Sequence, residues 1–242
     1  MALTLYARCE GATLDGTHDF SAGDTTWALA SAAAFNTSGA KLGTNGLNCP
    51  SGDDYATLDA ASIVAAGAGC VAFWFRPQTM ADGTWLLNLQ GTAGGDRINI
   101  EFGSTDELYF RHVAAGDHNI LIGPTAANLT TGNWYFVQCK WSSAQDDMQL
   151  KVWDASGTLL DTLENLSAGI SVAPADIATI NVGTQGTSMH VDIDNVFAGS
   201  AYADDFMAKR DITSYTQYAE GAGGYSVPVA PMPQSRLVIF PI

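Results

Sequence analysis

Cys70-Val-Ala-Phe-Trp-Phe-Arg76 sets Val71, Phe73 and Phe75 against Ala72, Trp74 and Arg76, and Pro77 closes the run. A side-chain period of two is that of a β-strand, and proline, lacking an N–H, cannot continue the ladder. The same period recurs on both sides. Arg97-Ile-Asn-Ile-Glu-Phe102 and Leu108-Tyr-Phe-Arg-His112 flank the turn Gly103-Ser-Thr-Asp106, and Trp134 to Trp141 and Met148 to Trp153 flank residues 142–147. Each pair predicts a hairpin, and two hairpins in succession predict a meander. Leu3 and Leu5 alternate in an opening strand, and Val191-Asp-Ile-Asp-Asn-Val-Phe197 forms the last clear one. Ala203 to Arg210 has room for one or two helical turns, and Trp27 to Phe35 is alanine-rich between poor helix boundaries.

Composition agrees with an all-β protein. The chain has 242 residues, 25 of them glycine, and only 14% are charged, so its polar surface is built largely from small turn-forming residues. A β-sandwich of that length is commonly one domain. Ten Lys and Arg against 25 Asp and Glu leave a net charge of −15. Such a surface repels phosphate backbones and anionic bilayers, which argues against nucleic-acid and membrane partners. No stretch approaches the ~20 apolar residues of a membrane-spanning helix, and the opening residues read as a strand rather than a secretory signal. Cys9, Cys49, Cys70 and Cys139 lack zinc-site spacing. They read as buried free thiols, with one disulfide left open for a chain maturing outside a reducing cytosol.

From Tyr218 the character changes. Gly221, Gly223, Gly224, Pro228, Pro231 and Pro233 crowd a short stretch before Leu237-Val-Ile-Phe-Pro-Ile242. Residues 218–242 therefore read as an extended Gly/Pro-rich arm after a domain of residues 1–217. Exposed, Leu237, Val238, Ile239 and Phe240 would be an edge-pairing hazard. They read as a contact with the domain itself or with a neighbouring subunit.

Thr131-Gly-Asn-Trp-Tyr-Phe-Val-Gln-Cys-Lys-Trp141 resembles the laminin G-like pattern in which Gly and Trp open an alternating strand. An acidic turn and Leu150-Lys-Val152 follow, and Val191-Asp-Ile-Asp-Asn-Val196 is similar to the family's closing strand. Lys41-Leu-Gly-Thr-Asn-Gly-Leu47 and Asp53-Asp-Tyr-Ala56 resemble the early stretch of these domains, in a version met in phage virion proteins. The resemblance spans residues 3–208 and implies a two-sheet antiparallel jelly roll of the laminin G-like, concanavalin A-like type. It also implies glycan or protein binding, often with Ca²⁺ on a loop rim. Asp15, Asp19, Asp192 and Asp194 are the metal candidates, since the resemblance brings the first and last strands together.

Glycan hydrolases of this sandwich type carry Glu-x-Asp-x-x-Glu on one strand, and that motif is missing here. Glu101 and Glu107, across a hairpin, are the nearest pair of glutamates, and no other catalytic motif stands out, so the reading is non-enzymatic. If Val71, Phe73, Phe75 and their alternating counterparts face the core, a second face holds Trp74, Arg76, Arg97, Asn99, Tyr109, Arg111, Lys140, Lys151 and Trp153. Aromatic rings stack on sugars and Arg forks to carboxylates, so these nine form the expected ligand face. Division of their strands between the two sheets would scatter it.

The expectation is a structural or adhesion module, displayed on a virion or outside the cell. Its arm would join capsid or tail subunits, or further copies of itself, and its exposed face would meet a glycan. A carbohydrate-binding module of a glycan-degrading system is the alternative, followed by a glycan-active enzyme using Glu101.

Overall fold

The computed structural model describes residues 3–212, apart from 17–18, 93–94, 105, 115–117, 127–128, 171–172, 187 and 203. The strands, in chain order, are β1 (Leu3–Ala7), β2 (Phe20–Ser21), β3 (Ala28–Leu29), β4 (Ala34–Asn36), β5 (Gly46–Cys49), β6 (Tyr55–Asp59), β7 (Ala68–Pro77) and β8 (Trp85–Gln90). There follow β9 (Arg97–Phe102), β10 (Leu108–Ala114), β11 (His118–Ile122), β12 (Tyr135–Ser142), β13 (Asp147–Asp154), β14 (Leu159–Leu166), β15 (Thr179–Gln185) and β16 (Val191–Gly199). Helix is confined to single 3₁₀ turns at Thr37–Gly39 and Met207–Lys209 among the described residues. The alanine-rich stretch after Trp27 thus forms strand and turn instead of helix, and the turn before Arg210 is shorter than its sequence allows.

The strands make two antiparallel sheets. One has nine strands, in the order β14-β13-β12-β7-β16-β1-β2 with β5 and β4 beside β16; the other has seven, ordered β11-β10-β9-β8-β15-β6-β3. First and last strands pair, β1 with β16, as in the jelly roll that the resemblance implies. Val71, Phe73, Phe75, Ile98, Ile100, Phe102, Leu108, Phe110, Val137, Cys139, Met148, Leu150 and Val152 all lie in the core between the sheets, on the face that alternation assigns them. The meander is corrected. The hairpin β9–β10 belongs to the seven-stranded sheet and β12–β13 to the nine-stranded one, because long connections cross between the layers.

A second apolar cluster covers the outer face of the nine-stranded sheet. Tyr6, Cys70, Ala72, Trp74, Phe136, Trp153 and Phe197 are closed over by Phe206, with Met207 and Ile212 packed alongside. Phe206 stacks on Phe197 with ring centroids 5.5 Å apart, and its N–H donates to Gln138 Oε1 at 2.7 Å. Trp74 Nε1 donates to the Arg210 carbonyl at 2.8 Å, and the Tyr6 hydroxyl to that of Ile212 at 2.7 Å. A bulge in β16 supports this layer: Asn195 sits at φ 46°, a left-handed conformation that asparagine tolerates, and its Nδ2 donates to the Ile212 carbonyl at 2.8 Å. β7 is therefore apolar on both faces, since both are buried.

All four cysteines are free and buried. Burial pushes the Cys139 thiol up to about 12 and raises the others as well, so these groups stay protonated and act as small hydrophobes. The arm and its contact residues Leu237, Val238, Ile239 and Phe240 lie outside the described residues, as does the domain boundary at residue 217.

Candidate ligand-binding face

The expected single face splits. Trp74, Arg76, Lys140, Lys151 and Trp153 belong to the nine-stranded sheet; Arg97, Asn99, Tyr109 and Arg111 belong to the seven-stranded one. The two groups point away from each other on opposite sides of the sandwich.

The first group is largely consumed by structure. Trp74 is fully buried and Trp153 nearly so, both within the outer cluster, where neither offers a ring face to a sugar. Lys41 Nζ lies 4.7 Å from the Trp74 ring centroid. Arg76 binds Asp192 Oδ2 at 2.9 Å through Nη2 and lies 4.9 Å from the Trp134 ring centroid. Lys140 is buried beside Cys70 and Gln149 in register, while Lys151 is half-buried between Gln138 and Thr162.

The outer face of the seven-stranded sheet is different in kind. Register places Arg111, Asn99, Asn88, Asn181 and Thr57 side by side on β10, β9, β8, β15 and β6. A neighbouring row runs Tyr109, Glu101, Trp85 and Gln185. The asparagines are almost inaccessible: Asn99 is 0%, Asn88 2% and Asn181 5% exposed.

Glu101 organises the centre. Its Oε1 accepts from Arg111 Nη2 at 2.6 Å, and its Oε2 from Asn99 Nδ2 at 3.1 Å. Arg111 Nη1 donates onward to Asn119 Oδ1 at 2.9 Å. Asn88 Nδ2 donates to Gln185 Oε1 at 2.9 Å, and Thr57 Oγ1 to Asn181 Oδ1 at 2.8 Å. The Arg97 guanidinium lies 5.4 Å from the Trp85 ring centroid. Among the described residues, Oδ1 of Asn88, Oδ1 of Asn99 and Nε of Arg97 are buried without a hydrogen-bond partner. Such groups are uncommon, because an unpaired buried polar atom costs about 1–3 kcal/mol.

Asn88, Asn181, Trp85 and Gln185 were not anticipated. The signal was present in Trp85-Leu-Leu-Asn-Leu-Gln90 and in the alternation of Thr179, Ile180, Asn181 and Val182. A bulge after Trp85 breaks the first pattern and Gly183 weakens the second.

The metal candidates are bound elsewhere. Asp19 Oδ1 accepts from the Arg8 backbone N–H at 2.8 Å and faces Arg8 Nε at 3.2 Å, while Asp15 Oδ2 faces Arg8 Nη2 at 3.2 Å. Asp192 also accepts from Gln78 Nε2 and Asn48 Nδ2. Asp194 Oδ2 accepts from the backbone N–H groups of Lys41 and Leu42 at 2.7 and 2.8 Å, and Oδ1 from that of Asn195. Burial nevertheless dominates and pushes its carboxyl up to about 7. Among the described residues no three His, Cys, Asp or Glu converge as a metal site. Asp15 does line an open cleft of about 420 Å³ with Arg8, Glu10 and Asn195, but its charge is met by Arg8.

This is a jelly roll with a polar, partly aromatic sheet face. Residues 50–152, from β6 into β13, match a laminin G-like family model described as the concanavalin A-like lectin/glucanases superfamily. That stretch is similar to this superfamily over less than half of the chain. A comparison with the curated proteins found no match. Among solved structures, the chain is similar to domain 4 of AbnA, an extracellular arabinanase from Geobacillus stearothermophilus, in complex with arabinotriose: 11% identity, 83% of this chain and 94% of that one, TM-score 0.54. It is similar also to a Ruminococcus gnavus sialidase carbohydrate-binding module bound to α2,3-sialyllactose: 16% identity, 69% and 96% covered, TM-score 0.50. Botulinum neurotoxin type C, in a structure concerned with two ganglioside molecules, matches at 12% identity over 84% of this chain, TM-score 0.56. The chain spans about half the length of that protein, 49%. Likenesses at this identity show a shared fold.

Proposed function

We propose that this protein is a non-catalytic glycan-binding module that receives its ligand on the outer face of the seven-stranded sheet. The observation behind the reading is the row Asn99, Asn88 and Asn181, in which Oδ1 of Asn99 and of Asn88 has no partner among the described residues, beside a row that carries the half-buried rings of Trp85 and Tyr109. Amides read hydroxyls, and ring faces stack on the C–H faces of sugars. The fold it shares with the arabinanase domain and the sialidase module supports the same reading. Glu101, the one acid considered for catalysis, is held by Arg111 and Asn99 in a positioning role.

A glycan array probed with the full chain, followed by calorimetry on the hits, tests this. Trp85→Ala and Tyr109→Ala are expected to abolish binding while leaving the unfolding midpoint within a few degrees. An array without hits, or hits indifferent to both substitutions, removes the reading.

The proposal extends to an assembly role, in which the arm holds the module in a virion or other extracellular structure made of protein subunits. One observation favours it. The described chain ends at Ile212 on the outer face of the nine-stranded sheet, the side opposite the ligand face.

A further inference from the structure

We infer that the ligand face selects neutral, hydroxyl-rich glycans and discriminates against anionic ones, with Asn99 and Asn88 as the reading pair; this rests on the glycan-binding reading above.

Arg111 is the obvious anion receptor on this face, and its charge is taken. Glu101 meets it at 2.6 Å, and the remaining fork reaches Asn119. A ligand carboxylate would have to displace Glu101, exchanging one carboxylate for another and leaving a displaced acid beside it. The same carboxylate fixes Asn99. An ionised Glu offers only acceptors, so the amide facing Glu101 at 3.1 Å must be the NH₂ end, and Oδ1 must point the other way. Asn99 is thereby oriented as an acceptor by charge rather than by packing. Across the strand Asn88 holds its NH₂ toward Gln185, and its Oδ1 is likewise unpartnered.

Two adjacent buried acceptors therefore await donors. Sugar hydroxyls donate, whereas carboxylate and sulfate groups at neutral pH only accept. An anion would set its own lone pairs against Oδ1 of both asparagines, on a chain whose net charge is −15. Arg97 Nε is an unpartnered buried donor among the described residues of this face, and a hydroxyl serves it as well as an anion does, since hydroxyls also accept. Reaching the amides requires Arg97 to swing aside, which its rotamer freedom permits, while Arg111 stays on Glu101. The expected chemistry is that of vicinal hydroxyls on a neutral pyranose or furanose.

The test compares neutral oligosaccharides (arabinan, xylan, mannan, cellulose and galactan fragments) with sialylated, uronate-containing and sulfated ones, using the full chain and calorimetry at about 20 and 300 mM salt. The inference expects neutral ligands to bind with affinity that changes less than about twofold between the two salt concentrations. Asn99→Ala is expected to weaken that binding by roughly 10- to 100-fold, the loss of one desolvated hydrogen bond. Binding confined to anionic glycans, weakened by salt and abolished by Arg111→Ala, overturns the selectivity while keeping the glycan-binding reading. Failure of every glycan overturns that reading itself. The ligand panel and salt arms use the unaltered protein, so misfolding of a variant leaves the comparison decisive.

Discussion

Trp74 shows how a residue's role turns on what covers it. Alternation places it on the second face of β7, where a tryptophan invites comparison with a sugar platform, yet its ring is sealed and its N–H is bonded to Arg210. Trp74→Ala is therefore expected to cost about 3–5 kcal/mol of stability, as for a large aromatic removed from a core. Urea unfolding checks this, and variant protein that remains folded at low temperature should still bind ligand. Asp194 gives a second residue-level expectation. Its folded-state pKa, near 7, lies above the ~3.9 of an unfolded aspartate. The stability linked to its raised pKa is fully present below about pH 4 and is lost as pH rises through about 7. Measured relative to Asp194→Asn, wild-type stability should fall between pH 5 and pH 8; a difference that stays constant across that window rules out the raised pKa.

At the scale of elements, the segment after β16 makes the nine-stranded sheet a two-sided layer. Phe206 closes the outer cluster, so Phe206→Ala is expected to lose about 3–5 kcal/mol and to expose Phe197 and Trp74. Increased binding of a hydrophobic dye below the unfolding transition would reveal that exposure; unchanged dye binding with full stability would show the cover to be dispensable. The strand pattern was legible wherever alternation ran unbroken, as in β7, β9, β10, β12 and β13. It failed at β8 and β15, where a bulge and Gly183 interrupt the period, and at β14, where Leu159, Leu160 and Leu166 are exposed on an edge. Sheet membership was beyond the pattern altogether, because period two assigns a face and never a partner. That is why four of the expected ligand residues, Arg97, Asn99, Tyr109 and Arg111, remain together while Trp74, Arg76, Lys140, Lys151 and Trp153 fall on the other side. A hint did exist in the sequence: Ala72, Trp74, Phe136 and Trp153 make both faces of those strands apolar, which is the mark of a covered sheet, whereas β9 and β10 alternate with Arg97, Asn99, Glu101 and Arg111.

For the whole molecule, the two outer faces differ in kind. One sheet buries its outside under Phe206, Met207 and Ile212; the other carries a polar row on its outside, the face proposed to meet a ligand. Binding and attachment are expected to be separable, since Phe206 and Ile212, which precede the arm, lie on the opposite side of the core from Asn88 and Asn99. Deleting residues 218–242 keeps Phe206, Arg210 and Ile212, so the outer cluster remains closed and the unfolding midpoint is expected to stay within about 2 °C, no more than the 2–4 °C that 1 kcal/mol moves a domain of this size. Glycan affinity should be unchanged within twofold, an outcome calorimetry reads directly. Assembly should be lost: light scattering after size exclusion should report a species of higher mass for the full chain and a monomer for the truncated one. Oligomers that persist after the deletion would move the contact away from Leu237, Val238, Ile239 and Phe240. The open edge of β14, with its three exposed leucines, would then be the next surface to alter.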